Sequence, residues 1–513
     1  MTVEEKELIK SASEAGLGTL ISRILGFIRD MAIAARFGAG ARADAFYVAF
    51  RIPNMLRNLL GEGTFGTSFI PVFSEYLVKE EKEAWELASI TFSILLVLLS
   101  CLTLIGIAIA PFVVRIIAPG FISNPEKFAL TISLTRLMYP FFLFIVLAAF
   151  ATALLNSLRS FFIPALAPSM LSVGELFSVF VIVPFMGGSV KGLAIGVLLG
   201  GAGQLLAQVP QVLKFWPRAT GYFKLTFSHP GVNRIWKLML PATIGVGIYQ
   251  INIFVDTLCA SYLVQGTPTA LYYANRLVQL PLAIFGTSVA TASLPQMSEY
   301  AAKKDMEGLL KVFCSGFRSI FFLLMPSAVG FVLLGRPIIE VLFQRGEFGK
   351  FATSLTYSAL LFYSFGLISY AGVKVVASAF YSLQDMKTPV VVSTIAILLN
   401  TELNLILMRY LEIGGLALAT SISSTVNMSL LLLLLKRRLG RLEGKKILEA
   451  LWLMCFISTI IGIVCMFVAR LKINSYFKIA TGIPLSILIL FIFSSVFKME
   501  ESRQLLQILS RRK

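Results

Sequence analysis

Arg23 and Arg29 sit inside the apolar run 20–30, and Arg51 and Arg57 interrupt the next apolar run, with Glu62 close behind. A fixed cation at membrane depth costs roughly 2.5–3.5 kcal/mol on insertion scales. A chain that accepts this cost repeatedly has an anion, or an internal carboxylate, for those charges to meet. The guanidinium never deprotonates, and its planar fork matches phosphate oxygens in pairs. Arg23, Arg29, Arg57 and Arg276 are therefore the candidates for holding a pyrophosphate. The other reading pairs them with Asp30, Asp44 and Glu62 as locks between helices, and both readings hold for an empty cavity. On an ideal helix Arg23 and Arg29 are separated by about 240°. They share a face only if the helix bends, which Gly26 would allow. Arg57 is followed by Gly61-Glu62-Gly63, a break signal, while Arg51 and Arg115 read as snorkelling or interfacial residues.

A second constellation is made of oxygen donors: Asp256 in one apolar run, Asn400, Thr401, Glu402 and Asn404 in another, and Thr420 in the run after it. Asn400 and Asn404 are spaced i, i+4 and share a helix face, offering the hard oxygen ligands that a small cation takes. The alternative is a polar clamp between helices. The five cysteines all fall in apolar runs without CxxC spacing, and the single histidine, His229, reads as solvated loop surface. No phosphate-binding GxxxxGK[ST] loop, HExxH pair or nucleophile–base set is present, so nucleotide hydrolysis and covalent chemistry have no visible machinery.

The elements that must carry these residues follow from composition. Of 513 residues, 57% are hydrophobic and only 14% charged, with a mean hydropathy of +0.83; soluble domains average about 25% charged residues. The chain reads as an all-α polytopic membrane protein of about fourteen spans, each long enough for a ~30 Å core. The net charge of +18 is read as loop asymmetry rather than as a nucleic-acid footprint. One side holds Lys79, Lys82, Arg159, the basic stretch 214–237, Lys303, Lys304, Lys387 and 436–446. The other side holds fewer cations, Arg36, Arg42, Lys127, Lys191, Arg336 and Arg345 among them, so both termini are expected to be cytoplasmic. The start of the chain lacks a cleavable-signal pattern, and the first apolar run is expected to remain as a helix.

A repeat is visible by eye. Phe65-Gly66-Thr67-Ser68 recurs as Phe285-Gly286-Thr287-Ser288 (285 − 65 = 220), and Ser74-Glu75-Tyr76 as Ser298-Glu299-Tyr300 (300 − 76 = 224). The two copies fall an even number of spans apart and so point the same way. This predicts two six-helix lobes related by a pseudo-two-fold axis along the membrane normal, as in many alternating-access carriers. The expected division is a first lobe over 1–213, an amphipathic cytoplasmic linker over 214–237, a second lobe over 238–440, two further helices over 441–498 and a basic tail over 499–513.

Ser22-Arg23-Ile24-Leu25-Gly26-Phe27-Ile28-Arg29-Asp30, Phe37-Gly38-Ala39-Gly40, Pro53-Asn54-Met55-Leu56-Arg57 and Tyr272-Tyr273-Ala274-Asn275-Arg276-Leu277 closely resemble the MurJ/MviN lipid II flippases. Leu342-Phe343-Gln344-Arg345-Gly346-Glu347-Phe348 extends the resemblance, which reaches nearly to the twelfth helix. It implies a branch of the multidrug/oligosaccharidyl-lipid/polysaccharide exporter superfamily with two six-helix lobes and two extra helices forming a groove for a polyprenyl tail. The implied activity carries the undecaprenyl-pyrophosphate-linked peptidoglycan precursor to the outer leaflet of the bacterial cytoplasmic membrane. The implied site is Arg23, Arg29, Arg57 and Arg276 with Asp30, Asp44 and Glu62 alongside, although Asn275 stands where some relatives place Asp. Sodium, held among Asp256, Asn400, Asn404 and Thr420, is implied as a coupling ion; Asn404 here replaces an expected carboxylate, and Glu402 is off that face.

The reading at this stage is a lipid II flippase that is not an enzyme, monomeric, with lipid II and membrane lipids as partners and no nucleic acid. Its rivals are a flippase for another polyprenyl-linked oligosaccharide, a multidrug exporter of the same superfamily, and a membrane enzyme acting on carrier lipid. A drug exporter would favour cavity carboxylates over arginines, and no loop is long or acidic enough for an enzyme's acid or metal cluster.

Overall fold

The computed structural model describes residues 3–61, 64–217, 221–226, 228–440 and 444–502, and every regular element among them is helical. The chain divides into two compact units, Met1–Pro268 and Thr269–Lys513. The first holds α1 (Val3–Phe37), α2 (Ala41–Leu60), α3 (Thr64–Lys79), α4 (Glu81–Ile117), α5 (Pro125–Met138), α6 (Pro140–Ser157), α7 (Phe162–Leu166) and α8 (Ser169–Phe177). A π-turn, Ser178–Ile182, leads to α9 (Val183–Phe185), α10 (Val190–Leu206), α11 (Val209–Phe215) and α12 (Pro230–Ser261).

Local sequence sets these boundaries. Glu81 and Glu83 occupy the first turn of α4 and Arg115 its last, charges that oppose the helix dipole at both ends. Asn124 caps α5, its side chain accepting from the Lys127 N–H, with Pro125 in the first turn, where a missing N–H is harmless. Phe65, Phe69 and Phe73 recur at i, i+4 along α3 and stack 5.3 Å apart, meeting Phe150 of α6 and Trp85 of α4. The backbones of α8 and α10 approach closely: a Cβ on Gly174 would lie 2.5 Å from the Gly200 nitrogen. The Ser178 hydroxyl donates across the same seam to the Gly192 carbonyl.

The second unit contains α13 (Thr267–Pro281, straddling the boundary), a π-turn at Leu282–Thr287, α14 (Ser288–Ala302), α15 (Met306–Leu342), α16 (Lys350–Ser382), α17 (Lys387–Leu439), α18 (Gly444–Arg470) and α19 (Ser475–Val496). Asp305 caps α15 by accepting from the Gly308 N–H at 2.8 Å. Two arms of α17 meet at Glu412, whose φ is 49°, the bend expected between the two apolar runs there. Gly415 packs against Leu407 so tightly that a Cβ would lie 2.3 Å from its carbonyl oxygen, which is why the turn needs glycine. Beyond α19, Glu500 and Glu501 both accept from Arg318 of α15, anchoring the end of the described chain.

The two units run in register. Helices α4 and α15 are both 37 residues long and start 225 residues apart (306 − 81). The stretch Pro125–Ser157 and α16 are both 33 residues and also start 225 apart (350 − 125). The ion pair Glu75–Lys79 recurs as Glu299–Lys303, 224 residues on (299 − 75). These equal lengths and offsets match the spacing of the short motifs.

Ten helices among the described residues are long and apolar enough to cross a membrane, fewer than the fourteen spans expected. α17 counts once although it carries two arms, α3 is only 16 residues long, and α1 and α2 carry ionisable residues that lower their apolar content. The run expected over 162–186 is broken into α7, α8, the π-turn and α9.

The linker is shorter than the basic stretch 214–237, because α12 already begins at Pro230. It is fastened to the first unit. Trp216 packs 5.3 Å from Trp85 and 5.7 Å from Tyr222, Lys224 pairs with Glu86, and the Lys224 N–H donates to Ser93 Oγ. Arg234 reaches Glu75 of α3 at 2.6 Å. His229 is half-buried rather than plain surface: its Nδ1 accepts from the Gly231 N–H at 3.1 Å and so caps α12.

Burial lowers the His229 pKa below its ordinary 6.5. A depressed pKa means the unfolded chain binds the proton first, so the cap's contribution is complete above 6.5 and is lost as pH falls through the folded value. Thermal unfolding of the purified protein should therefore fall to lower temperature between pH 7 and 5 by an amount that His229→Asn, a cap without titration, removes. A second expectation concerns the α8–α10 seam: Gly174→Val should cost roughly 1–3 kcal/mol or more by overpacking. Gly330→Ala, where nothing lies within 4 Å, should be neutral or gain up to about 1 kcal/mol, read from the same melts.

Candidate functional site

α1 runs as one helix through Gly26, and its two arginines have different fates. Arg23 is exposed. The Arg29 side chain is 11% exposed and lies between two carboxylates, Asp30 at 0% and Glu175 of α8 at 2%. Its Nη2 donates to Asp30 Oδ1 at 2.7 Å and its Nε to the same oxygen at 3.0 Å. The same Nε is also 3.0 Å from Glu175 Oε2. Glu175 arrives there because α8 is seated on α10 by glycines and faces α1 on its other side. It was absent from the sequence candidates, and no local motif could have found it: its partner is 146 positions away (175 − 29).

Asp44, in the first turn of α2, is wholly buried. A lysine of α5 pairs with it. Lys127 Nζ reaches Asp44 Oδ2 at 2.8 Å, and the Gly266 N–H donates to that oxygen at 2.8 Å. The Lys127 side chain is only 6% exposed and its ammonium lies 3.8 Å from the centre of the Phe121 ring, a cation–π contact. The outer-loop placement of Lys127 is thus corrected: capping by Asn124 turns it inward. Arg51 is likewise not a surface residue, since its Nη1 donates to Thr257 of α12. Arg57, in the last turn of α2, faces its neighbour Asn58 at 3.4 Å. Glu62, the carboxylate expected beside it, lies outside the described residues.

In the second unit Arg276 lies on α13, half-buried, with Asn275 exposed beside it. The helical register that relates the units puts Arg51 opposite Arg276 in the repeat (276 − 51 = 225). A further cation that the sequence reading passed over is Lys374 of α16, whose Nζ donates to Thr287 of the π-turn at 2.8 Å.

The sodium candidates come from both units. Asp256 belongs to the first unit, where it accepts from Asn252 at 3.4 Å. Asn400, Asn404 and Thr420 come together in the second unit across the two arms of α17. Asn404 donates to Asn400 Oδ1 at 2.9 Å, and the Asn400 amide donates to Thr420 and Ser423, both at 3.3 Å. These contacts tie the two arms of α17 together through a buried amide and hydroxyl cluster. Among the described residues, no group of three or more His, Cys, Asp or Glu could hold a metal ion.

A helical protein of many apolar spans, with guanidinium and ammonium groups held among buried carboxylates, is built as a membrane carrier. The profile of the family described as "Lipid II flippase MurJ" matches residues 33–491. The chain belongs to the MurJ lipid II flippase family. It is 36% identical over 481 residues to the probable lipid II flippase MurJ of Buchnera aphidicola subsp. Acyrthosiphon pisum, covering 93% of each chain. It is 37% identical over 434 residues to that of Vibrio cholerae, covering 83% of this chain and 82% of the other. A solved lipid II flippase MurJ, in an inward closed conformation, is similar with TM-score 0.81 and 26% identity over 94% of this chain and 98% of that one. An inward-facing multidrug resistance MATE transporter of the MOP superfamily shares the fold alone, at TM-score 0.69 and 16% identity over 85% of this chain and 99% of that one.

Removing one member of a buried ion pair leaves the other charge uncompensated and costs about 3–5 kcal/mol. Lys127→Met should therefore destabilise the protein by about that amount, and Asp44→Asn combined with Lys127→Met by clearly less than the sum. Melts of the two single variants and the double variant in detergent measure the coupling.

Proposed function

We propose that this chain is a lipid II flippase of the bacterial cytoplasmic membrane, moving the undecaprenyl-pyrophosphate-linked peptidoglycan precursor from the inner to the outer leaflet. The observation that carries the reading is the family match across 33–491, together with an arginine held by carboxylates inside an apolar bundle. Arg29 is the principal ligand for the pyrophosphate. Arg23 and Arg57 in the first unit and Arg276 in the second supply the same chemistry, each able to meet a phosphate edge with two N–H groups. Asp44 works differently, as half of a buried lock with Lys127.

The parallel helical registers of the two units support a two-lobed carrier of fourteen spans working by alternating access, with both termini cytoplasmic and the monomer as the working form. An anionic headgroup leaving an inside-negative cell moves downhill, by about 2.3 kcal/mol per charge per 100 mV. That supplies a driving force without nucleotide hydrolysis, and no step is assigned to sodium.

In cells depleted of their own flippase, the wild-type chain should restore growth, and Arg29→Ala and Arg276→Ala should not. Arg29→Lys, which keeps the charge and loses the fork, should fall between them. In reconstituted vesicles Arg29→Ala should lower lipid II translocation by roughly tenfold or more, the worth of one charge-assisted hydrogen bond. Translocation unchanged in both alanine variants would remove the assigned role.

A further inference from the structure

Lys374 stands in the long apolar helix α16, where Lys350 at the start is the only other charged residue. A lysine near a helix end can extend to the nearer interface; this one does not. Its ammonium donates to the Thr287 hydroxyl at 2.8 Å, and that hydroxyl donates to the Leu282 carbonyl at 3.3 Å, inside the π-turn. Thr287 lies past the middle of the 36-residue span Thr267–Ala302. Among the described residues no carboxylate pairs with Lys374. None occurs in α13, the π-turn or α16, and Glu299 of α14 pairs with Lys303. A cation held inside a span by a neutral hydroxyl alone is rare, and such residues mark substrate pathways.

The surface around it is wet. Lys374 is exposed, and the exposed face of α13 and α14 carries Asn275, Gln279, Ser288, Thr291 and Gln296. By contrast α19, in the same unit, exposes Phe477, Ile487, Leu488 and Ile492, the face of a helix against lipid. Polar faces within spans line water-filled cavities, and Thr287 sits beside Ser288 on this one. The type of cation matters too. A guanidinium meets a diphosphate with two parallel N–H groups, whereas an ammonium is a compact point charge suited to one oxygen or one carboxylate. Arg276 lies eleven positions before Thr287 (287 − 276), about 15 Å along the helix axis. Helical side chains lean towards the start of their helix, which carries the Arg276 head away from Thr287. A single diphosphate seated on Arg276 is too short to reach Lys374 as well.

We propose that Lys374 is a further substrate-binding residue, whose ammonium takes a carboxylate of the precursor's peptide while the arginines take the diphosphate. Thr287 holds the ammonium in position when no carboxylate is there. The inference rests on the reading of the chain as a lipid II flippase. Its consequence is specificity: Lys374 favours the complete headgroup over undecaprenyl pyrophosphate, which has the same diphosphate and no peptide.

The test uses the full chain in lipid nanodiscs and three ligands: lipid II, undecaprenyl pyrophosphate, and lipid II whose peptide carboxylates have been amidated. Lys374→Gln should bind lipid II roughly tenfold more weakly and bind undecaprenyl pyrophosphate as wild type does. Amidated lipid II should bind wild type and Lys374→Gln alike, at the level of the variant with unmodified lipid II. Lys374→Arg, which keeps the charge, should retain most of the affinity for lipid II. Equal losses for lipid II and undecaprenyl pyrophosphate would give Lys374 to the diphosphate and overturn the proposal. Unchanged binding of lipid II by Lys374→Gln, whatever its melting temperature, would make Lys374 a brace for the π-turn and overturn it too. Should the Gln variant fail to fold, wild type binding amidated and unmodified lipid II equally well overturns it. Wild type binding neither natural lipid removes the functional reading and this inference with it. Wild type binding both, and Arg276→Ala losing both, with Lys374→Gln equal to wild type, removes this inference alone.

Discussion

The constraint on which the structure depends is the cost of charge away from water. An ion moved into a low-dielectric interior loses several kcal/mol of solvation that only a close counter-ion and hydrogen bonds offset. The first unit meets this at two places with different geometry. Around Asp44, one carboxylate oxygen takes an ammonium and a backbone N–H, with an aromatic ring against the ammonium. That set ties the starts of α2 and α5 to the chain just before α13. Around Arg29, carboxylates from two helices, Asp30 of α1 and Glu175 of α8, meet one guanidinium and tie α1 to α8.

The same contrast runs through the repeat. Constant spacing between α4 and α15, and between Pro125–Ser157 and α16, means that each unit starts from the same helical series. Yet the polar residues set on that series differ. Asp44 and Lys127 of the first unit fall at Thr269 and Ala352 by the 225-residue offset, so the second unit lacks this lock. Arg51 falls at Arg276, which survives in both. Matching helix lengths thus carry different polar residues in the two units, as expected when fold and site are separable.

What was legible in the sequence divides along the same line. Helices were readable because spans announce themselves locally: α4, α10, α15, α16 and the two arms of α17 fall where the apolar runs lie, and the bend at Glu412 falls where two runs meet. The candidate arginines were readable because a cation in an apolar run is anomalous in itself. Their partners were not. Glu175 lies in a short helix, α8, and its importance comes from packing against α1. Lys127 looked like a loop cation because it is two residues into a helix, and only its cap and the Phe121 ring turn it inward. The amide and hydroxyl cluster around Asn400 was readable in part: i, i+4 spacing put Asn400 and Asn404 on one face, while their partners Thr420 and Ser423 came from the other arm of α17.

The linker adds a mechanical consequence. Had 214–237 been a loose tether, α12 would be free to follow either half of the chain. Instead, tryptophan stacking, the Lys224–Glu86 pair and the Arg234–Glu75 pair fix its start to α3 and α4. The compact boundary accordingly falls after α12, at Pro268, rather than in the basic stretch. The chain next to that boundary is where Gly266 donates to Asp44. The backbone just before α13 is thus held by a hydrogen bond to a buried, ion-paired carboxylate. A backbone N–H on a charged acceptor is worth about 1.5–3 kcal/mol, enough to favour one arrangement of this segment about tenfold or more.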